Sequence, residues 1–505
     1  MTDAVAPAWL AIDLGSSSGR VMLGVRQCAD ERNRTDRTPS PTLVITEAAR
    51  FTNVPLDTEH GFGGDIGSLW ISVREGLRAG IAEATKRRAV VVQGIGVDSW
   101  GVDYARVTST GEIRPFVAHH RDVDTRLAAQ ASAARDAARD YAEAGVLDQA
   151  INTVHQLRRD ERDGRGSADH TILLIADLFV YLLTGVAAAE VCLASSTALV
   201  DRATGTLSVS LAADTHAKLP PIARGGERAG NLLPGVAAEI GAPERLGVWF
   251  VTAHDTAAAF SAVVDAGESH STAVISCGSW SVVGAAVERP YLKERARRAG
   301  LTQEMGAAEH TLVAKNLSGM WRLQQTMREW AERDGKDELT VGDLRELLAD
   351  AAESPYRDIF DPADPIFQTP GSLAQRLEAA CRAHEGTEPA SRADLVRAIL
   401  ESLASAYALT LTQLERLTGQ QFGSVRIIGG GARNELLATL TSEYTGLPMH
   451  AGPVEASSRG VIYQPMPATG HVGDLAAARK LTADDGENLD LHFLSAGVRP
   501  AESDS

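Results

Sequence analysis

One short pattern, an apolar strand, a glycine- and serine-rich turn and a second apolar strand, occurs twice in this chain of 505 residues. The first copy, WLAIDLGSSSGRVMLG, occupies residues 9–24, and the second, STAVISCGSWSVVGA, begins at Ser271. Each copy predicts a β-hairpin, because glycine supplies the backbone freedom that a tight turn requires. An internal duplication constrains the fold more strongly than any single motif does.

A second pair of segments extends the duplication. VVVQGIGVDSWG (residues 90–101) and SVRIIGGGARN (residues 424–434) are each a β-branched strand that runs into glycines and polar residues. Together, the two pairs predict two similar α/β domains that face one cleft. The length of the chain also indicates two to three domains.

The first turn carries groups that suit phosphate. Glycines and serines in a tight turn leave backbone N–H groups and hydroxyls pointing in one direction, which favours phosphate oxygens. Arg20 adds a planar cationic fork, and Asp13, at the end of the first strand, can hold a magnesium ion directly or through water. No Walker-type G-x-x-x-x-G-K-[ST] is present, which excludes the ordinary P-loop. The alternative for this segment alone is a surface hairpin with a Ser/Gly turn.

Composition excludes several classes of protein. A net charge of −17 opposes nonspecific binding to nucleic acids and to anionic membranes. No apolar run approaches the ~20 residues that span a bilayer, and the first residues lack a signal segment, so we expect a cytoplasmic protein. The cysteines are scattered and indicate free thiols, not a metal site or a disulfide framework: Cys28, Cys192, Cys277 and Cys381.

The segment VWFVTAHDTAAAFSAVV, residues 248–264, predicts a strand that delivers His254, Asp255 and Thr256 to the start of an alanine-rich helix. A carboxylate at this position lies where α/β domains bind ligands. Asp255 is equally well interpreted as the N-cap of the helix. The two roles do not exclude each other.

Four further segments have simpler interpretations. Residues 68–86 predict an amphipathic helix, and residues 122–150, rich in alanine, also predict helix. Residues 172–183 predict an apolar helix that ends at Gly185. The charged segment RRDERDGRGSAD, residues 158–169, predicts a solvated loop.

The sequence resembles the FGGY family of carbohydrate kinases through nearly its whole length, from Ile12 to about Leu475. The resemblance implies an α/β fold of duplicated actin-like, ribonuclease H-like domains around a central cleft. It also implies a sugar-binding domain at 1–262, a nucleotide-binding domain at 263–498 and a disordered tail at 499–505. The segments that carry it are DLGSSSGRVML, GVDSWGVDY, HRDVDT, AHDTAAA, SCGSWS, KNLSGMWRLQ, IIGGGARNELL and AGPVEAS.

The resemblance also implies the roles of individual residues. It implies that Asp255 is the catalytic base and that Asp13 supports Mg²⁺. The ketose is expected to contact Gly101, His254, Asp255 and Thr256. The residues expected to bind ATP are Ser16, Ser17, Ser18, Gly19, Arg20, Ser279, Asn316, Gln324 and Gly430.

The activity implied is the phosphorylation of the C1 hydroxyl of L-rhamnulose, because WGVD, HDTA and GPVEAS favour that branch of the family. ATP is then the co-substrate and Mg²⁺ the metal, in a monomer or weak homodimer that binds no nucleic acid and no membrane. One alternative is a sister kinase that acts on L-fuculose, ribulose or xylulose. The other is a non-catalytic actin-like protein that binds nucleotide without a sugar.

The sequence departs from the family pattern at three places. Ser279 stands where threonine is common, and Asp124 stands where the pattern usually has arginine, which puts any charge role there in doubt. After GPVEAS, residues 458–467 (SRGVIYQPMP) carry the familiar letters in displaced positions. This segment is either ordinary divergence or a short out-of-frame stretch. Because proline disrupts a helix interior, Pro465 and Pro467 predict that any helix after Ser457 is kinked or begins late.

Overall fold

The computed structural model describes residues 5–27, 42–58, 61–87, 90–117, 119–120, 122, 125–133, 135–264, 271–337, 339–362, 364–368, 372–385 and 387–481. The chain forms two compact units. The first comprises Met1–Ala266, Ala286–Val313 and Glu455–Asp485, and the second comprises Gly267–Ala285, Ala314–Val454 and Gly486–Ser505. The predicted domain limits stay predictions, and Cys28, Asp124 and the predicted tail lie outside the described residues.

The strands within the described residues are numbered in chain order. They are β1 (Ala6–Leu14), β2 (Ser18–Gln27), β3 (Thr42–Thr52), β4 (Leu56–Thr58), β5 (Gly61–Gly63), β6 (Val90–Ser99), β7 (Tyr104–Val107), β8 (Ile113–Val117), β9 (Thr171–Leu174), β10 (Ala189–Glu190), β11 (Val200–Asp201), β12 (Thr206–Leu207), β13 (Ile222–Ala223), β14 (Arg228–Asn231), β15 (Gly247–Trp249), β16 (Thr272–Cys277), β17 (Trp280–Val287), β18 (Thr302–Met305), β19 (Thr311–Ser318), β20 (Ser424–Ile428) and β21 (Met449–Ala451).

The helices of the same residues are numbered likewise. They are α1 (Ile66–Lys86), α2 (Thr125–Ala133), α3 (Ala137–Ala144), α4 (Thr153–Arg162), α5 (Ile175–Thr184), α6 (Val191–Ser195), α7 (Pro234–Ile240), α8 (Asp255–Val263), α9 (Glu294–Arg298), α10 (Trp321–Arg333), α11 (Val341–Glu353), α12 (Leu373–Glu385), α13 (Arg392–Thr418), α14 (Glu435–Thr445), α15 (Ala456–Tyr463), α16 (Pro465–Ala468) and α17 (Leu475–Lys480). Only α13 among them is long and apolar enough to cross a membrane, and 72% of its apolar window is buried within the protein, as in a core helix.

Both predicted hairpins are present, and each sits in the same surroundings. β1 pairs antiparallel with β2 and parallel with β6, in a sheet of order β14–β15–β6–β1–β2–β3. β16 likewise pairs antiparallel with β17 and parallel with β20, in a sheet of order β18–β19–β17–β16–β20–β21. The repeated pairing confirms the duplication that the sequence predicts.

Helix α1 covers one face of the first sheet, as its periodicity predicts. Asp65 caps its first turn by accepting a hydrogen bond from the Ser68 N–H at 3.0 Å. Gly76 and Gly80 bring the helix close to the sheet, because a Cβ on either would lie 2.6 Å from a neighbouring side chain. The apolar residues that α1 buries are Leu69, Val73, Leu77, Ile81 and Ala84.

Two predicted helices are shorter than expected. Residues 172–174 belong to strand β9, which pairs antiparallel with β7, and helix α5 begins only at Ile175. A fully buried apolar run fits a strand as well as a helix, so its periodicity did not distinguish them. The alanine-rich segment is also divided, because Asp136 caps a new helix and Gly145 ends it with a φ of 75°.

The charged segment at residues 158–169 is a solvated loop only after residue 162, so the prediction is wrong for its first part. Its first half is helix α4, and Asp160 is only 2% exposed. The Asp160 carboxylate accepts hydrogen bonds from the Tyr104 hydroxyl at 2.6 Å, from Arg106 at 3.2 Å and from Arg165 at 2.9 Å. Partners distant in sequence thus make burial of this charge acceptable.

The helix after Ser457 begins on time and is divided later. α15 starts at Ala456 and packs against α8 and β1, so the predicted late start is wrong. A new short helix, α16, begins at Pro465, which occupies its first position, where proline fits without losing a helical hydrogen bond. The Gln464 side chain anchors the break by donating to Thr252 Oγ1 at 2.9 Å. The predicted interruption is therefore confirmed, without the expected cost of a mid-helix proline at residue 465.

Candidate active site

Three aspartates come together where neighbouring parallel strands of the first unit end. Asp13 ends β1 next to Asp98 of β6, its register partner. Asp255 follows β15, which runs parallel to β6. An isolated parallel bridge from Ser99 to His254 extends that pairing to the first residue before Asp255. The carboxyl edge of such a sheet is the usual place for ligands in α/β domains.

The side chain of Asp13 is buried and heavily bonded. Its Oδ2 accepts from Ser457 Oγ and Ser458 Oγ, each at 2.6 Å, and from the Arg20 guanidinium at 3.0 and 3.1 Å. Arg20 also forms an ion pair with Glu455. The Arg20 guanidinium therefore pairs with two carboxylates of the same unit, Asp13 and Glu455, and its charge offsets theirs.

Asp98 has the opposite surroundings. It is fully buried, and neither carboxylate oxygen has a hydrogen-bond partner among the described residues. Burial, together with the nearby charges of Asp13 and Asp255, raises the pKa of Asp98 well above its ordinary value. A buried carboxylate without partners is costly and marks a site that a ligand or cation would complete.

The turn between β1 and β2 holds Ser16, Ser17, Ser18 and Gly19 in a fixed conformation. The Gly15 N–H donates to the Ser18 carbonyl at 2.9 Å, and Asn53 bonds the turn from outside through the Gly15 and Ser17 carbonyls. The Ser17 side chain is exposed, whereas Gly19 is buried against Phe51. The backbone of the turn is thus fixed, and its role in binding phosphate stays a prediction.

Asp255 is the first residue of α8, and His254, not Asp255, occupies the N-cap position. Asp255 Oδ1 accepts from the Thr256 N–H at 2.5 Å and from the Thr256 hydroxyl at 3.1 Å. Its Oδ2 accepts no hydrogen bond from the described part of the chain, and its side chain is 35% exposed. The pKa of Asp255 is raised overall. Burial is the largest cause, the nearby His254 opposes it, and the charge of Asp13 adds to it.

The ring of His254 lies between two carboxylates. Nε2 is 3.5 Å from Asp255 Oδ1, and Nδ1 is 2.7 Å from Oε2 of Glu304 on β18. His254 Nδ1 and Glu304 Oε2 are close enough for an ion pair, but they are not aligned as a hydrogen bond. Burial is the largest single effect and lowers the pKa of the imidazole, but Glu304, Asp255 and Glu190 together outweigh it and raise the pKa of His254 to about 9.

Gly101 lies against the same histidine. A Cβ at this position would be 3.0 Å from Ser196 Oγ and 3.3 Å from His254 Nε2. The next residue, Val102, has a φ of 68°, which is unusual for a β-branched residue, and its carbonyl accepts bonds from Thr153 and Gln156. The structure thus brings Gly101, His254, Asp255 and Thr256 together.

The second unit carries the other predicted site residues. Ser279 lies in the turn of the second hairpin, where its hydroxyl donates to Gln324 Oε1 at 3.1 Å. The Gly319 N–H donates to the Ser279 carbonyl at 3.0 Å, which ties this turn to the start of α10. Asn316 lies within strand β19.

Gly430 follows the end of β20, after Gly429, whose φ is 78°. A Cβ on Gly429 would lie 2.9 Å from the Cys277 carbonyl, so the loop passes close to the second hairpin. A Cβ on Gly430 would meet nothing within 4 Å. The predicted ATP-binding residues of this unit are all exposed: Ser279, Asn316, Gln324 and Gly430.

Three groups of this site were not predicted as site residues. Asp98 stands at a strand end in the quoted GVDSWG segment, and this position could have indicated it as a site residue. Glu304, in the segment TQEM, carries no local signal, because nothing near it in sequence indicates His254 as its partner. Ser457 ends the quoted AGPVEAS segment, and Ser458 begins the segment that the sequence marked only as unusual.

The comparisons with known proteins agree with this geometry. Residues 273–468 match the C-terminal domain of the FGGY family of carbohydrate kinases. The chain is 32% identical over 492 residues to the rhamnulokinases of Yersinia pestis bv. Antiqua (strain Angola) and Yersinia pseudotuberculosis serotype I (strain IP32953). Each alignment covers 96% of this chain and 94% of the relative.

Two solved structures show the same fold. The xylulose kinase from Rhodospirillum rubrum superposes with a TM-score of 0.75 at 18% identity, covering 94% of this chain and 92% of that one. The Plasmodium falciparum glycerol kinase with ADP superposes with a TM-score of 0.70 at 15% identity, covering 95% and 93%. The predicted duplicated actin-like α/β fold is therefore confirmed. The chain belongs to the FGGY family of carbohydrate kinases and is an ATP-dependent sugar kinase.

Proposed function

We propose that the protein phosphorylates L-rhamnulose at the C1 hydroxyl, giving L-rhamnulose 1-phosphate and ADP. The observation that carries the proposal is Asp255, whose Oδ2 has no partner among the described residues, while its Oδ1 accepts hydrogen bonds from Thr256 and lies 3.5 Å from His254 Nε2. Support for the ketose comes from relatives named rhamnulokinase, which align over 96% of the chain. The structural neighbours share too little sequence to bear on the substrate.

In this proposal Asp255 is the general base. The C1 oxygen forms a bond to the γ-phosphorus, the bond from that phosphorus to the β–γ bridging oxygen breaks, and ADP leaves. The hydroxyl proton passes to the Asp255 carboxylate. His254, Thr256 and Gly101 contact the sugar and orient it, because phosphoryl transfer depends mainly on positioning and charge.

Mg²⁺ fits the residues beside the first turn. Asp13 uses Oδ2 for its hydrogen bonds, and both oxygens of the buried Asp98 are unpartnered among the described residues. Oxygen ligands from one or two carboxylates are the ordinary protein contribution to an Mg²⁺ site. We propose that Asp13 holds the ion together with Asp98. A bound Mg²⁺ would supply neutralising charge for the phosphates.

The remaining assignments rest on the same proposal. Ser16, Ser17, Ser18, Gly19 and Arg20 would line the ATP phosphates, and Ser279, Asn316, Gln324 and Gly430 would contact the nucleotide. We infer that the N-terminal domain binds sugar and the C-terminal domain binds nucleotide. We also infer a monomer or weak homodimer in the cytoplasm.

A panel of ketoses tests the substrate. Purified protein is given ATP and Mg²⁺ with L-rhamnulose, L-fuculose, ribulose or xylulose, and ADP release is followed by a coupled assay. We expect the highest kcat/KM for L-rhamnulose, and a phosphate on C1 by carbon NMR of the product. A higher kcat/KM for another ketose would assign the protein to a sister activity. Nucleotide binding without turnover of any ketose would favour the non-catalytic alternative.

A further inference from the structure

No sequence motif indicated Glu304 as a site residue, and its place in the structure is specific. Its side chain is only 12% exposed, and its Oε2 lies 2.7 Å from His254 Nδ1. The opposite ring nitrogen, Nε2, lies 3.5 Å from Asp255 Oδ1. Glu304 therefore reaches Asp255 only through the imidazole.

The charges around this ring favour the imidazolium. Besides Glu304 and Asp255, the third carboxylate that acts on His254 is that of the buried Glu190. Glu190 already accepts bonds from the backbone N–H groups of Cys192, Leu193 and Ala253, which offset its charge. Glu304 is thus the main group that opposes the effect of burial on His254.

A charged His254 matters for Asp255. Burial and the charge of Asp13 both favour the protonated, inactive form of the Asp255 carboxyl, whereas the His254 charge favours the carboxylate. An Asp255 that is protonated at neutral pH cannot accept the hydroxyl proton of a sugar. Loss of the imidazolium would therefore remove the base without removing Asp255.

We propose that Glu304 is a positioning residue of the kinase site, which holds His254 in its charged form so that Asp255 stays ionised and its hydroxyl-facing oxygen remains available. The proposal rests on the proposed role of Asp255 as the base. It predicts a role for a side chain on β18 that touches neither the sugar nor ATP. Glu304→Gln removes the charge and keeps the shape, whereas Glu304→Asp keeps the charge on a shorter side chain.

The first measurement is an NMR titration of ¹³C-histidine-labelled protein, with His254→Gln used to assign one of the 13 histidine signals. We expect the pKa of His254 to fall well below about 9 in Glu304→Gln, because the main group that opposes the effect of burial is lost. Glu304→Asp should lie between the two. This titration requires no substrate, so it decides the link between Glu304 and His254 even if the ketose panel contradicts the proposed function.

The second measurement is the pH dependence of kcat with the best ketose of the panel. In Glu304→Gln we expect kcat at neutral pH to fall roughly tenfold or more, the acid limb to move to higher pH and the KM for ATP to stay unchanged. Glu161→Gln is the matched control, because it removes the carboxylate of another histidine pair, Glu161–His216, with a 2.5 Å contact. It should leave both the His254 signal and kcat unchanged.

Two results would overturn the proposal. If His254 still titrates near 9 in Glu304→Gln, Glu304 does not set its charge. If the pKa falls but the acid limb does not move, His254 does not act on Asp255. Circular dichroism establishes that each variant is folded. If Glu304→Gln is not, Glu304→Asp decides: a His254 pKa that does not fall at all, or an acid limb that does not follow a lowered pKa, overturns the proposal.

Discussion

Asp13 and Asp98 are register partners at the ends of two parallel strands, and their carboxylates have opposite surroundings. Asp13 accepts four hydrogen bonds on one oxygen, whereas both oxygens of Asp98 lack partners among the described residues. A fold that keeps an unpaired carboxylate in its interior gives up stability at that position. Such a cost is typical of a functional site.

We therefore expect Asp98→Asn to be more stable and less active. The amide is nearly isosteric and uncharged, so the free energy of unfolding should rise by about 1–3 kcal/mol without metal. Thermal unfolding with EDTA and with Mg²⁺ measures the stability, and the coupled assay of ADP release measures the activity. Mg²⁺ should raise the Tm of the wild type more than that of the variant. A variant with unchanged Tm, activity and response to Mg²⁺ would contradict the assignment.

Asp255→Asn tests the base. The side chain is partly exposed and its bonds come from the adjacent Thr256, so the fold and the sugar affinity should change little. We expect kcat to fall by roughly 10²–10⁴-fold, the usual contribution of a general base. Steady-state kinetics with calorimetric sugar binding separate the two effects. If the variant keeps more than about a tenth of the activity, the role of Asp255 is only structural, at the start of helix α8.

Gly101→Ala tests the space beside His254. The new methyl group would stand 3.3 Å from Nε2 and 3.0 Å from Ser196 Oγ, so both groups must yield. We expect the kcat/KM for the sugar to fall roughly tenfold or more while the KM for ATP is retained. Gly235→Ala is the control, since its methyl group would meet nothing within 4 Å. Equal kinetics in both variants would separate Gly101 from the sugar site.

Gln324→Ala tests the nucleotide assignment of the second unit. Loss of its contact with Ser279 and of the proposed nucleotide contact should raise the KM for ATP several-fold and leave the KM for the sugar unchanged. Gln325→Ala is the control, because the next residue on a helix faces about 100° away. A rise in the KM for ATP in the control but not in Gln324→Ala would refute the assignment.

The unusual segment after GPVEAS is tested at Gln464. Its side chain is 5% exposed and its amide donates to Thr252, so Gln464→Ala should destabilise the protein by about 1–2 kcal/mol. A lower Tm would show that the displaced letters now form part of the packing. An unchanged Tm would support the interpretation that the segment makes no specific contribution.

Patterns within a few residues predicted most of the fold and part of the site. The hairpins and α1 follow from local patterns, and the strand-end position of Asp255 is visible beside its alanine-rich helix. The predictions failed where residues distant in sequence determine the surroundings of a side chain. Asp160 is buried because Arg106, 54 positions away, pairs with it, and a charged segment gives no sign of such a partner. Glu304 was missed for the same reason.

The first unit is assembled from three stretches of chain, and this has a consequence for protein synthesis. Ser457 and Ser458 reach the ribosome exit 444 or more residues after Asp13, which they bond. At about 5–20 residues per second, the nascent N-terminal part waits for tens of seconds without α15 on its sheet. We therefore expect the nascent N-terminal part to need chaperone protection during translation. A product truncated before Glu455 should fail to fold correctly.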